Sequence, residues 1–116
     1  MNIEEFRDYC LAKAGVTEET PFGPDTLIFK VGGKIFALTD IQNFTSVNLK
    51  CDPEKAVELR ERYQTILPGY HMNKKHWNTV LIQNEINDLM LQDLIDHSYN
   101  LVVAGLPRAV YQQISS

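Results

Sequence analysis

The stretch "TLIFKVGGKIFALTD", residues 26–40, decides the fold. Two apolar, β-branched runs flank Gly32 and Gly33, the pairing expected of a two-residue hairpin turn. In the first run Leu27, Phe29 and Val31 alternate with Ile28 and Lys30, the period of a strand with one face more buried than the other. "FTSVNLK", residues 44–50, repeats the pattern, with Thr45, Val47 and Leu49 opposite Ser46, Asn48 and Lys50. Three short strands in succession predict an antiparallel meander.

Helical periods lie on either side. Residues 3–14 place Ile3, Phe6, Cys10 and Ala14 at helical spacing, and Gly15 suits the position just past the end. "TEETPFGPD" then reads as a loop, because two prolines and a glycine break any period. "CDPEKAVELRERYQTI", residues 51–66, reads as one helix. Asp52 is its N-cap, Pro53 its first residue, and Ala56, Leu59, Tyr63 and Ile66 its apolar stripe. Pro68 and Gly69 are expected to stop it. "WNTVLI", residues 77–82, reads as a fourth strand. A last helix spans about residues 89–104, with Leu91, Leu94, Ile95, Ser98, Leu101 and Val102 on its stripe. Gly105 and Pro107 end or kink it, and the tail "RAVYQQISS" adds a short helical turn. The order α-β-β-β-α-β-α predicts an α+β fold, a single antiparallel sheet packed against helices.

At 116 residues the chain is expected to be one domain, residues 1–116, with a core that needs no disulfide or metal staple. Apolar residues make up 44% and charged residues 22%, which excludes a disordered chain. Two cysteines, Cys10 and Cys51, form no disulfide framework and point to a reducing cytoplasm. The acidic, amphipathic "MNIEEFRDYC" is no signal peptide, and no apolar run approaches the ~20 residues of a membrane span. The net charge of −4 excludes a globally basic nucleic-acid binder, so any anion site must be local. Between Glu61 and Glu85 there is no acid, while Arg62, Lys74, Lys75, His71 and His76 lie in that interval.

Few residues carry chemistry. Asp96, His97 and Ser98 name a hydrolase triad, yet neighbours on a helix point ~100° apart and no nucleophile elbow surrounds them. "VGGK" lacks the phosphate-loop spacing and joins two strands. No enzyme is predicted, since nucleophile, base and oxyanion donor cannot be assembled. No cofactor is expected either. His71 and His76 are five apart and lack further ligands for a metal. Glu4, Glu5 and Asp8 on the first helix read mainly as a solvated face. The run "PGYHMNKKHW", residues 68–77, has two readings. Its rings and lysines suit bases and phosphates. Alternatively it is a loop that delivers Tyr70 and Trp77 to the core and leaves Lys74 and Lys75 in water, and composition favours this second reading.

Five blocks in order carry a resemblance: "FRDYCLAKAGVTEETPFG", "LIFKVGGKIFAL", "VNLKCDPEKAVELRERY", "PGYHMNKKHWNTV" and "LIDHSYNLVVAGLP". Across about 100 residues the chain resembles the MmcQ/YjbR-like family of small bacterial proteins, described as CyaY-like with a double-wing DNA-binding motif. The resemblance implies an α+β fold and DNA binding. It implies a site at His71, Asn73, Lys74, Lys75 and His76, with Trp77 in a positioning role and Lys34 and Lys50 extending the surface. After "LP" this chain departs from its relatives' lysine-rich tails, keeping only Arg108. The expected partner is DNA, with no membrane. The alternatives are a protein or peptide partner, as for a secretion-chaperone-like module, and frataxin-like metal handling through the first helix.

Overall fold

The computed structural model describes residues 1–115. Its elements run α1 (Ile3–Leu11), β1 (Val16–Glu19), β2 (Thr26–Val31), β3 (Lys34–Asp40), β4 (Ser46–Lys50), α2 (Pro53–Arg62), β5 (Ile66–Pro68), β6 (Trp77–Leu81), α3 (Asp88–Ala104) and α4 (Arg108–Ser115). Every strand pairing is antiparallel, in one sheet of order β1-β2-β3-β4-β6-β5. The expected α+β class, with a single antiparallel sheet against helices, is what forms.

The hairpin that fixes the sheet turns at Gly32 and Gly33, whose φ values are +59° and +80°. Two consecutive positive φ angles are what a tight hairpin with the right twist demands. A side chain at Gly32 would also strike Leu106, whose Cδ1 lies 2.6 Å from the place of a Cβ. The turn and the α3–α4 junction therefore interlock.

Two strands were not foreseen. β1 lies where a loop was expected, because "VTEE" offers a single apolar residue and its strand character comes from pairing Val16–Glu19 along β2. β5 contains Ile66, which the periodicity assigned to the stripe of α2. That helix ends at Arg62, and Tyr63 turns extended at φ −122° and ψ 126°. Ile66 is buried nonetheless, opposite Val80 in β6. The turn is held from outside: the Glu85 carboxylate accepts from the Thr65 backbone N–H at 2.9 Å and from its hydroxyl at 2.6 Å. Pro68 thus closes a strand rather than a helix. The helix expected over residues 3–14 ends at Leu11, and the tail forms the eight-residue α4 rather than a single turn.

A relay of rings crosses the core. Phe6 of α1 meets Phe29 edge-on at 5.7 Å, Phe29 meets Phe36 at 6.5 Å, and Phe36 meets Tyr99 of α3 edge-on at 5.5 Å. The three phenylalanines are fully buried, each contributing about 1.5–3 kcal/mol by burial.

Four consecutive residues of α3 pin it to α1 and the chain after it, to β3, to β4 and to the start of α2. Asp96 accepts from the Tyr9 hydroxyl at 2.7 Å and pairs with Lys13. His97 Nε2 accepts the Asp52 backbone N–H at 3.1 Å. The Ser98 hydroxyl accepts the Lys50 N–H at 2.9 Å and donates to the Phe36 carbonyl at 2.5 Å. The Tyr99 hydroxyl donates to the Ala14 carbonyl at 2.7 Å. Ser98 is fully buried at the point where the β3–β4 register ends, at Ala37–Leu49. Ser98→Ala should therefore lower stability by about 2–4 kcal/mol, since two buried backbone groups lose their partner. Urea denaturation at neutral pH measures this.

Candidate functional site

The loop between β5 and β6 delivers its residues by local constraints. The Gly69 N–H donates to the Trp77 carbonyl at 2.9 Å. A Cβ at Gly69 would sit 2.8 Å from Trp77 Cβ and 2.9 Å from its carbonyl oxygen, so only glycine fits this approach. His71 takes φ +57° with its ring 4.0 Å from that of Tyr70. The Asn73 Oδ1 accepts the Lys75 backbone N–H at 2.9 Å, and the Lys74 ammonium reaches back to the Gly69 carbonyl at 3.4 Å. The His76 carbonyl accepts the Cys51 N–H at 2.8 Å, tying the loop's end to the end of β4.

Neither ring of this stretch is a core anchor. Tyr70 is 69% exposed. Trp77 is half-buried and forms a wall of a cleft of about 520 Å³. Lys30, Lys34 and Lys50 line the same cleft, over an apolar floor that includes Ile35, Leu101 and Leu106. The sheet explains the gathering. Lys50 and Trp77 are register partners across β4–β6, and the tight hairpin sets Lys34 opposite Val31, one residue beyond Lys30. Lys30 is shared with Glu19, at 2.9 Å. Lys75 faces a separate groove on α2, beside Pro53, Glu54, Val57 and Arg60.

The predicted site residues therefore divide. Lys34, Lys50 and Trp77 come together. Lys75 lies on the separate α2 groove, while Asn73 and Lys74 spend side-chain groups on their own loop. His71 is exposed at the loop tip and His76 is half-buried before Trp77. Lys30, the register partner of Ile35, also lines the cleft and was not singled out from the sequence.

Other candidates are occupied. The Glu5 carboxylate accepts the Asn2 N–H in the capping box of α1. Among the described residues no three His, Cys, Asp or Glu side chains converge as a metal would require. Asp96, His97 and Ser98 each serve a different structural partner. Burial pushes the Cys10 thiol up to about 12 and also raises Cys51, which keeps both from being reactive thiolates. No helix among the described residues is long and apolar enough to cross a membrane.

A family model described as YjbR matches residues 11–101. The chain belongs to the YjbR family. It is 49% identical over 89 residues to the uncharacterised protein YbdF of Escherichia coli O157:H7, covering 76% of this chain and 73% of that one. It is 34% identical over 108 residues to YjbR of Escherichia coli K12, covering 92% of each. A Deinococcus radiodurans crystal structure of a DUF419 domain superposes with a TM-score of 0.91 at 37% identity, over 98% of this chain and 88% of that one. A Pseudomonas syringae protein superposes with 0.74 at 31% identity, over 88% and 99%. The family resemblance read from the five sequence blocks is thereby borne out.

Burial and then Lys55 hold the His97 pKa below its ordinary 6.5, against the opposing pull of Asp52. The neutral ring accepts the Asp52 N–H; the charged ring cannot. Because the folded pKa lies below the unfolded one, this contribution is complete above pH 6.5 and is lost as pH falls through the folded value. Urea midpoints should thus decline as the pH falls below about 6.5, and His97→Gln should flatten that decline.

Proposed function

We propose that this YjbR-family chain is a non-enzymatic, DNA-binding protein of the cytoplasm. The observation that carries the reading is the convergence of Lys30, Lys34 and Lys50 beside Trp77. An acidic chain can bind an anion only through a local concentration of cations, and this cleft is one. Lys75 and Arg60 line a separate groove on α2, shared with Glu54. The centre of contact is therefore the strand ends rather than the loop tip, with phosphates at Lys34 and Lys50. The non-enzymatic part draws on the structural employment of Asp96, His97 and Ser98 and on two thiols kept protonated.

A protein-interaction role is a second reading. Leu67 is 41% exposed on edge strand β5, with Tyr70 at 69% and Val57 at 48%. Against it, the edge is only three residues long and ends in Pro68, which blunts strand addition.

Fluorescence anisotropy with a labelled duplex across a salt series tests the DNA reading. The slope of log affinity against log salt should fall by roughly two in Lys34→Ala/Lys50→Ala, one unit per phosphate contact removed. Lys74→Ala should have the smaller effect. Affinity and slope unchanged in the Lys34/Lys50 double variant would overturn the assigned site.

A further inference from the structure

A duplex would use only part of the cleft. Double-stranded DNA presents phosphates and groove edges, while its base faces stay stacked on one another. The lysines would meet phosphate, yet Trp77, Ile35, Leu101 and Leu106, which line the same cleft, would face nothing suited to them. The cleft's volume, about 520 Å³, falls in the range of small-molecule sites. Its make-up matches a ligand with a planar, weakly polar body and a phosphate at one end.

We infer that the cleft between Lys34, Lys50 and Trp77 binds a single unpaired nucleotide, with the base against Trp77 and the phosphate at the lysines. Aromatic stacking accepts any base, because every base has a π-face. Lys34 and Lys50 supply the charge, and Lys30 supplies less because Glu19 already holds it. The site arises from the fold: β3 and β4 stop pairing at Ala37–Leu49, and the Ser98 hydroxyl takes up the Phe36 carbonyl and the Lys50 N–H beyond that point. The inference deepens the DNA reading by naming the form of nucleic acid the cleft accepts. A free nucleotide carries the same chemistry.

Trp77 is the only tryptophan of the chain, so its emission reports on this cleft alone. The experiment titrates the full chain with a short oligothymidylate, with thymidine 5′-monophosphate, with inorganic phosphate and with an abasic oligonucleotide of equal charge. Saturable quenching by the oligothymidylate or the monophosphate is expected, with none from phosphate or the abasic strand. Quenching by the oligothymidylate alone assigns the ligand to single-stranded nucleic acid; equal quenching by both assigns it to a free nucleotide. Lys34→Ala/Lys50→Ala should weaken binding about tenfold or more with its circular dichroism and melting curve unchanged. Glu19→Gln should tighten it about two- to fivefold by freeing Lys30. Equal quenching by the abasic strand, or quenching unchanged in the lysine double variant, would overturn the inference. If the duplex binds by anisotropy while no nucleotide moves Trp77, the inference fails and the DNA reading survives. If nothing binds in either assay, both fail.

Discussion

The hydroxyl of Ser98 stands where two strands part. On one side it accepts the Lys50 N–H, on the other it donates to the Phe36 carbonyl, and it is shut off from water. An apolar residue there would leave two backbone groups unpaired in the core, at a cost of about 1–3 kcal/mol each. The neighbours of Ser98 on α3 fasten the same helix to α1 through Asp96, to the start of α2 through His97 and to the chain after α1 through Tyr99. One turn of helix thus ties the ends of β3 and β4 to α1, to the chain after it and to the start of α2.

Much of this fold is written locally. The β-branched run of residues 26–31, the paired glycines and the Asp52–Pro53 cap each specify their element with short-range physics, and each element forms, although Ile28, expected on the wetter face, is fully buried. β1 and β5 are different. Val16–Glu19 becomes a strand because β2 offers an edge. Ile66 leaves the helical stripe because Glu85, twenty positions away, holds Thr65 in a turn. No window of sequence contains either fact.

The site was legible in the same uneven way. Lys34, Lys50 and Trp77 could be singled out by residue type and by resemblance, but the composition of "PGYHMNKKHW" drew attention to Asn73, Lys74 and Lys75. In the structure two of these three side chains serve the loop itself. The loop must fold tightly over Gly69, and it uses the Asn73 carbonyl oxygen and the Lys74 ammonium to do so. The triad suggested by "DHS" dissolves for a related reason: three consecutive helical residues point in three directions, and each has found a structural partner. Lys30 was not singled out because its place in the cleft depends on how β2 and β3 pair, and nothing beside it along the chain marks it.

A net charge of −4 and a cationic cleft are compatible because the lysines are concentrated by strand pairing rather than by sequence. The central claim is that anionic ligands meet this chain at the parted ends of β3 and β4. Backbone amide and indole shifts of the 15N-labelled protein, followed by NMR during titration with a short oligothymidylate, test that most directly. The account predicts the largest changes at Lys34, Ile35, Lys50 and the Trp77 indole N–H. Changes confined to Tyr70–Lys75 or to α2, with the Trp77 indole unmoved, would contradict it.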